Sequence, residues 1–322
     1  MALAESLVSR PRAVPSRQMI VSILILAAML LLLGLYAPNF FRYNNILNVF
    51  LQASLLGMLA IGMAVVMIVG GIDLSLPANM AMSAILGAFY MKATGEWVGA
   101  PFIMAGAGAL IGLVNGLAVA RLKMIPFVVT LAMMTVISGT SVWMTNSLSI
   151  SQLPEGFLDL FGARPFLRIP ITVIIVAMLG IIVTILMRSS IAGRWAYAVG
   201  ISEKASRVAR IPIAHVVLAS YVFAGLMAGV TGILLTARLG AASANMGNDG
   251  MVLDIVSACV VGGISIYGGS GRIFGALFGA LLITVLSNAM NLIGVSFYLS
   301  LVIKGAVIIA FVAADGRRGG GQ

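Results

Sequence analysis

Ten apolar runs dominate the sequence, and most of them are long enough to cross a lipid bilayer as a helix. They lie at 19–36, 46–70, 76–93, 98–120, 125–145, 170–187, 213–237, 251–267, 272–293 and 296–313. A membrane helix needs about 20 mostly apolar residues. Only 9% of the 322 residues are charged, against about 25% in a soluble domain. The pattern predicts an all-α membrane protein of about ten transmembrane helices, with a domain at 19–313 between tails at 1–18 and 314–322.

The formal net charge of +10 lies mostly between these runs. The sequence contains no basic stripe with interleaved aromatic residues, so it gives no reason to expect nucleic-acid binding. With the N-terminus inside and ten spans, thirteen of the nineteen lysines and arginines fall on the inner side, five fall outside, and Lys304 lies within the last run. Cytoplasmic connections of membrane proteins carry such an excess of bases. We therefore predict a multi-pass membrane protein with both termini in the cytoplasm.

Residues that could carry catalysis or bind a metal are scarce. The chain has one cysteine, Cys259, and one histidine, His215, so an intrachain disulfide and a cysteine or histidine metal cluster are excluded. No G-x-x-x-x-G-K-[ST] phosphate loop occurs, and GGSGRIFG at 268–275 lacks the dinucleotide fingerprint. We predict no catalytic residue, metal or cofactor in this chain, and keep a membrane enzyme as an alternative.

Polar residues inside or beside the apolar runs are the candidates for function. A charge at mid-membrane costs about 2.5–3.5 kcal/mol, so it usually faces a cavity or a partner. Residues predicted to line a substrate pathway are Asp73, Ser75, Asn115, Asn288 and Asn291. Asp73 could instead cap the following helix, and the asparagines could bridge helices. Lys304 could pair with Asp254 or extend to the membrane surface.

Glycines recur at four-residue spacing, which lets helix backbones approach closely. The sets are Gly108, Gly112 and Gly116; Gly225 and Gly229; and Gly271, Gly275 and Gly279. A second glycine pattern appears twice, in VMIVGGIDLSL at 66–76 and VVGGISIYG at 260–268. This echo suggests two related half-units, an arrangement common in membrane transporters.

The polar segment 188–212 interrupts the apolar chain with five bases and one acid. The bases are Arg188, Arg194, Lys204, Arg207 and Arg210, and the acid is Glu203. Ser202 is a predicted N-cap of a helix that ends before Pro212, with Ala205, Val208 and Ala209 on one face. A helix of two turns is unstable alone. It therefore needs a surface to dock on, either anionic lipid or a soluble partner.

Four ordered segments resemble one known family. They are GGIDLS at 70–75, GLVNGLAVARLKMIPFVVTLAMMTV at 112–136, GRWAYAVGISEKASRVARIP at 193–212, and VVGGISIYGGSGRIFGALFGALLITVLSNAMNLIGV at 260–295. They are similar to the monosaccharide-importing permeases of bacterial ATP-binding-cassette (ABC) transporters, above all the ribose permease group. The resemblance spans roughly residues 38–315.

The resemblance implies a type II ABC-importer-like helical bundle in the bacterial inner membrane and a dimer of permeases that forms one translocation path. It also implies two ATPase domains below, which bind ATP and Mg²⁺, and a periplasmic sugar-binding protein above. The loop 188–212 corresponds to the family's coupling loop. Its predicted ATPase-coupling residues are Gly193, Arg194, Glu203, Ala205, Arg207 and Arg210.

Three departures and three alternatives accompany this interpretation. Leu76, Pro77 and Ile264 differ from the family's usual residues and leave the particular sugar open. One alternative is an ion-coupled secondary transporter using Asp73 and Asp254. Another is an ABC permease for a different solute, such as a branched amino acid, and the third is the membrane enzyme.

The outer loop 146–169, which carries Glu155 and Asp159, has two interpretations. It could contact an external binding protein, or it could be a solvated loop.

Overall fold

The computed structural model describes residues 17–164, 169–247 and 249–316, and within these the regular elements are helices. The α-helices are α1 Arg17–Tyr36, α2 Tyr43–Ile68, α3 Leu76–Thr94, α4 Ala100–Ala120, α5 Pro126–Thr145, α6 Glu155–Phe161, α7 Ile171–Ser189, α8 Ile191–Ile201, α9 Glu203–Val208, α10 Ile213–Leu239, α11 Asp249–Val261, α12 Ile273–Leu292 and α13 Phe297–Gly316. Most of the two predicted tails, with Arg10, Arg12, Arg317 and Arg318, lies outside the described residues.

Each of the ten predicted apolar runs contains one α-helix, which confirms the all-α class. The count of ten membrane spans is not confirmed. Among the described residues, six helices are long and apolar enough to cross a membrane: α2, α4, α5, α7, α10 and α12. Two shorter apolar stretches, Ile23–Tyr36 and Phe297–Val307, lie in α1 and α13.

The predicted span at 251–267 is wrong beyond residue 261. Helix α11 has 13 residues, about 20 Å at 1.5 Å per residue, which is shorter than the roughly 30 Å hydrocarbon core. It ends because Gly263 takes a left-handed conformation (φ 84°) that glycine adopts without steric cost. The backbone N–H of Ile264 then donates to the Cys259 carbonyl at 3.0 Å, closing the helix end.

Helix α2 lies at the centre of the bundle. In its most apolar 18-residue window, 89% of the residues are buried, against 22% in α5 and in α7. It packs against α7, α10, α11 and α12. Helices α5 and α7 therefore lie at the periphery, with apolar faces open to lipid or to another chain.

Helices α4 and α10 form the closest helix pair, and glycines make the approach possible. A Cβ added to Gly112 would overlap the Tyr221 carbonyl, and one on Gly225 would overlap the Gly108 carbonyl. Gly279 lies equally close to the Ala258 carbonyl, where α12 crosses α11. The prediction that these glycines allow tight packing is confirmed. Gly271 is the exception, since it precedes α12 in a loop with φ 134°.

This packing gives a first prediction with an internal control. Gly112→Ala should destabilise the protein by about 1–3 kcal/mol, because the added methyl overpacks a backbone contact. Gly106→Ala on the same helix should be neutral or stabilising, since its added Cβ meets nothing within 4 Å and alanine favours the helix by up to about 1 kcal/mol. Thermal unfolding in detergent measures both. A Gly112→Ala protein as stable as Gly106→Ala would contradict the packing argument.

The predicted outer loop 146–169 is partly folded. Its helix α6 buries Phe157 completely, and that ring contacts Phe161 with centroids 5.2 Å apart. Ile150 and Ala242 form an isolated antiparallel bridge that ties the loop to the chain after α10. Glu155 and Asp159 remain exposed. The loop is thus an anchored surface that presents acidic side chains; residues 165–168 lie outside the described part.

Candidate functional site

The predicted pathway residues Asp73, Ser75 and Asn115 form one buried polar cluster. The Asp73 Oδ1 atom accepts hydrogen bonds from the Ser75 backbone N–H at 3.0 Å and from its hydroxyl at 2.6 Å. The Asn115 Nδ2 donates to Ser75 Oγ at 2.8 Å. All three residues have 0% exposure. Asp73 thus forms a side-chain turn directly before α3, and the cluster joins α3 to α4.

Two acceptors in this cluster have no donor among the described residues. They are Asp73 Oδ2 and Asn115 Oδ1, both fully buried. An unpaired buried carboxylate oxygen is costly in a low-dielectric interior. The cluster is closed in this conformation, so its place in a substrate pathway stays a prediction.

The loop that carries Asp73 is held by two further helices through the Ile72 carbonyl. Tyr221 of α10 donates its hydroxyl to this carbonyl at 3.2 Å. Thr130 of α5 donates to it at 3.4 Å. Tyr221 is 1% exposed. These bonds fix the loop between α2 and α3 against α5 and α10.

The two predicted asparagines of α12 have different surroundings. Asn288 and Asn45 exchange two hydrogen bonds of 3.0 Å, each amide donating to the other's oxygen. This pair joins α12 to the start of α2. Asn291 instead lines a large cavity. The structure therefore separates the five predicted pathway residues into a closed cluster, a helix bridge and one cavity residue.

The cavity has a volume of about 590 Å³ and lies between α2, α3, α10, α11, α12 and α13. Ligand pockets usually measure about 300–1,000 Å³. Its uncharged polar side chains are Gln52, Thr231, Thr284, Ser287, Asn291 and Ser300. They offer hydroxyl and amide groups, which both donate and accept hydrogen bonds, so this part of the lining suits a hydroxylated solute. Arg238 also lines the cavity and donates to Asn48 Oδ1 at 3.1 Å.

Asp254 and Lys304 form an ion pair in the wall of this cavity. The Lys304 Nζ lies 2.9 Å from Asp254 Oδ1 and donates to Oδ2 at the same distance. The Asp254 side chain is 22% exposed and the Lys304 side chain is 12% exposed. Of the two sequence alternatives for Lys304, the structure shows pairing with Asp254. The pair links α11 to α13 and keeps both charges compensated inside the apolar bundle.

Sequence reasoning missed most of the cavity's polar lining, although part of it has a visible signal. Thr284, Ser287 and Asn291 occupy positions i, i+3 and i+7 of α12, which place them on one helix face. Gln52 and Thr231 come from distant parts of the chain. Only the folded bundle brings them to the same cavity.

The segment 188–212 folds into two short capped helices. Ser190 caps α8 by accepting from the Gly193 N–H at 3.0 Å, and Ser202 caps α9 by accepting from the Ala205 N–H at 3.2 Å. The Ser202 N-cap is confirmed. The predicted extension of that helix to Ile211 is wrong, because α9 ends at Val208 and Arg210 turns the chain with φ 56°.

The predicted apolar face of α9 is exposed, not docked within the protein. Val208 is 86% exposed, and the neighbouring Ile201 is 73% exposed. Arg207 and Glu203 form an exposed ion pair of 2.7 Å beside them. Ala205 and Arg210 are also exposed. This helix therefore presents apolar and basic groups on the protein surface, where no described residue covers them.

The turn at Gly70 meets a different glycine-rich loop, 268–271, where both pack against α8. Gly269 donates its backbone N–H to the Ile68 carbonyl at the end of α2, at 2.9 Å. Gly200 of α8 packs on both, and its Cβ would overlap the Ile68 carbonyl. The repeated Gly-Gly pattern of the sequence has a left-handed glycine in each copy. It is the first glycine, Gly70, in one copy and the second glycine, Gly263, in the other. The likeness of the turns is therefore offset by one residue.

Tyr197 adds a hydrogen bond to this junction. Its hydroxyl donates to the Gly271 carbonyl at 2.9 Å. Burial raises the pKa of the Tyr197 phenol, so the hydroxyl stays protonated at neutral pH. Gly193 and Arg194 lie on the same helix, with Gly193 buried against the Met187 carbonyl at the end of α7. Helix α8 is thus fixed to the ends of α2 and α7.

A bundle of apolar helices around a polar cavity, with an exposed capped segment on one side, defines a multi-pass membrane permease. Residues 45–312 match the family described as the permease component of the branched-chain amino acid transport system. The chain belongs to this family.

Curated relatives cover almost the whole chain. The ribose import permease protein of Bacillus subtilis is 36% identical over 291 residues, 90% of each protein. That of Escherichia coli K12 is 35% identical over 92% of this chain and 93% of its own length. The D-allose transport system permease protein of Escherichia coli K12 is 31% identical over 90% of this chain and 89% of its own. No solved structure matches the chain.

Proposed function

We propose that the chain is the permease subunit of an ABC importer that carries a monosaccharide or a related polyol across the bacterial inner membrane. The observation that carries this proposal is the 590 Å³ cavity, whose uncharged polar lining consists of hydroxyl and amide groups. An aliphatic amino acid side chain would leave those groups unpaired, at a cost for each. The relatives named for ribose and D-allose support the same solute class.

The energy for transport comes from a separate ATPase subunit that binds ATP and Mg²⁺. The exposed surface of α9 supports this, because Val208 leaves apolar area uncovered beside Arg207 and Arg210. We propose that this surface docks on the ATPase. Its movement would reach the membrane domain through α8, which rests on the ends of α2 and α7.

The remaining partners are a second copy of the permease and a periplasmic sugar-binding protein. The open apolar faces of α5 and α7 leave room for a second chain within the membrane. The anchored outer loop with exposed Glu155 and Asp159 offers a charged surface to the binding protein. This arrangement requires both termini on the cytoplasmic side.

Reconstitution tests the proposal directly. Vesicles that contain the permease alone should not concentrate radiolabelled ribose or allose. Vesicles that contain the permease, its ATPase and the binding protein should concentrate the sugar, because ATP hydrolysis supplies the free energy. Accumulation is measured with enclosed ATP, with a non-hydrolysable analogue, and with an imposed sodium or proton gradient.

The outcomes separate the alternatives. Accumulation by the permease alone on an ion gradient would establish a secondary transporter and overturn the proposal. ATP-driven uptake of branched-chain amino acids but not sugars would keep the ABC permease and replace the solute class. Conversion of the labelled solute into another compound would indicate a membrane enzyme.

A further inference from the structure

A second cavity, separate from the solute cavity, lies at the side of the bundle where α7 ends. It is an open groove of about 600 Å³ between the end of α7, the helix α8 and the start of α12. Its apolar residues include Met187, Ile201, Ile273 and Phe274. Phe274 is 58% exposed and Ile201 is 73% exposed. The groove therefore offers apolar surface that the described part of the chain leaves uncovered.

Three arginines line this groove, and its lining contains no acidic residue. They are Arg188 at the end of α7, Arg194 on α8 and Arg272 just before α12. Arg194 donates to the Ser189 carbonyl at 3.1 Å, which turns its guanidinium toward the end of α7. Within the described residues, neither Arg188 nor Arg272 pairs with a carboxylate. Three positive charges thus converge from three separate elements without compensation.

We infer that this groove binds an anionic phospholipid of the cytoplasmic leaflet. The phosphate would lie among the three guanidiniums, which form charge-assisted hydrogen bonds with phosphate oxygens. The acyl chains would cover the exposed side chains of Phe274 at the start of α12 and Ile201 at the end of α8. Basic pockets between membrane helices on the cytoplasmic side bind such head groups. The inference rests on the proposed topology, which puts the end of α7 inside.

The groove is separate from the surface proposed for the ATPase, and its exposed apolar side chains, Phe274 and Ile201, favour a lipid as the occupant. The surface of α9 proposed for the ATPase carries Lys204, Arg207 and Val208, and these line a different concavity. A lipid in the groove would make Arg194 part of a membrane anchor for α8. The coupling role predicted for Arg194 would then be indirect, through the position of that helix.

Native mass spectrometry of the full-length permease in detergent tests this inference, with phosphatidylglycerol, cardiolipin or phosphatidylethanolamine added. The wild-type chain should retain the anionic lipids in preference to phosphatidylethanolamine. The double variant Arg188→Gln/Arg272→Gln should retain them at least about fivefold less. The matched control Arg121→Gln/Lys123→Gln removes two charges from the α4–α5 connection, outside the groove, and should retain them as the wild type does.

Three results would overturn the inference. Equal loss of lipid in the control variant would show general charge attraction only. Equal competition by soluble glycerol phosphate would show that the apolar side chains of the groove contribute nothing to the binding free energy. Displacement of the lipid when the ATPase subunit is added would make the groove part of the protein interface, whereas retention in that complex supports the lipid site.

Discussion

Reversing Arg207 and Arg210 to glutamate should lower ATP-driven sugar uptake by at least about tenfold. The two side chains flank the exposed Val208 on a surface that nothing in the described structure covers. Losing about 1.4 kcal/mol of docking free energy weakens association tenfold. Co-purification of the ATPase and the ratio of sugar transported to ATP hydrolysed measure the effect.

The permease itself should remain folded in this variant. Among the described residues, the ion pair that reversal of Arg207 breaks is its exposed pair with Glu203, and such pairs contribute about 0.2–1 kcal/mol. Reversal of Arg42 and Lys92, two exposed bases on the predicted outer side, is the matched control and should leave ATPase association intact. Normal uptake and normal ATPase binding in the Arg207 and Arg210 variant would refute the proposed coupling surface.

The sequence predicts the helices well because hydrophobicity and helix-breaking residues are local properties. Apolar runs mark every long helix, and the N-cap at Ser202 follows from residue type and position. The end of α11 is also coded locally, by the Gly-Gly pair at 262–263, yet the continuing apolar residues Ile264 and Ile266 obscure it. An apolar run shows where a helix can form, and a left-handed glycine decides where it stops.

The site is less predictable because it depends on which helices become neighbours. Asn288 and Asn291 are three residues apart, yet one pairs with Asn45 and the other faces the cavity. The exposure of Val208 could not be deduced either, because the amphipathic pattern says that a face needs cover and does not identify what covers it. The ion pair between Asp254 and Lys304 was one of two sequence alternatives, and only the approach of α13 to α11 decides between them.

That ion pair gives the second large prediction. Lys304→Met should destabilise the protein by about 1–3 kcal/mol, because it leaves the half-buried Asp254 carboxylate without its counter-charge. Asp254→Asn should have a similar effect through the unpaired ammonium group. The double variant Asp254→Asn/Lys304→Met removes both charges and should recover most of the lost stability. Thermal unfolding of the purified variants in detergent measures this pattern.

Transport separates a structural pair from one that also contacts solute. Both residues line the 590 Å³ cavity, and a hydroxylated solute can accept from the ammonium group and donate to the carboxylate. The stable double variant should therefore transport sugar at least about tenfold more slowly, since charge-assisted hydrogen bonds contribute about 1.5–3 kcal/mol. If the double variant is stable and transports normally, the pair serves only to join α11 to α13. If neither single variant loses stability, the pairing itself contributes nothing.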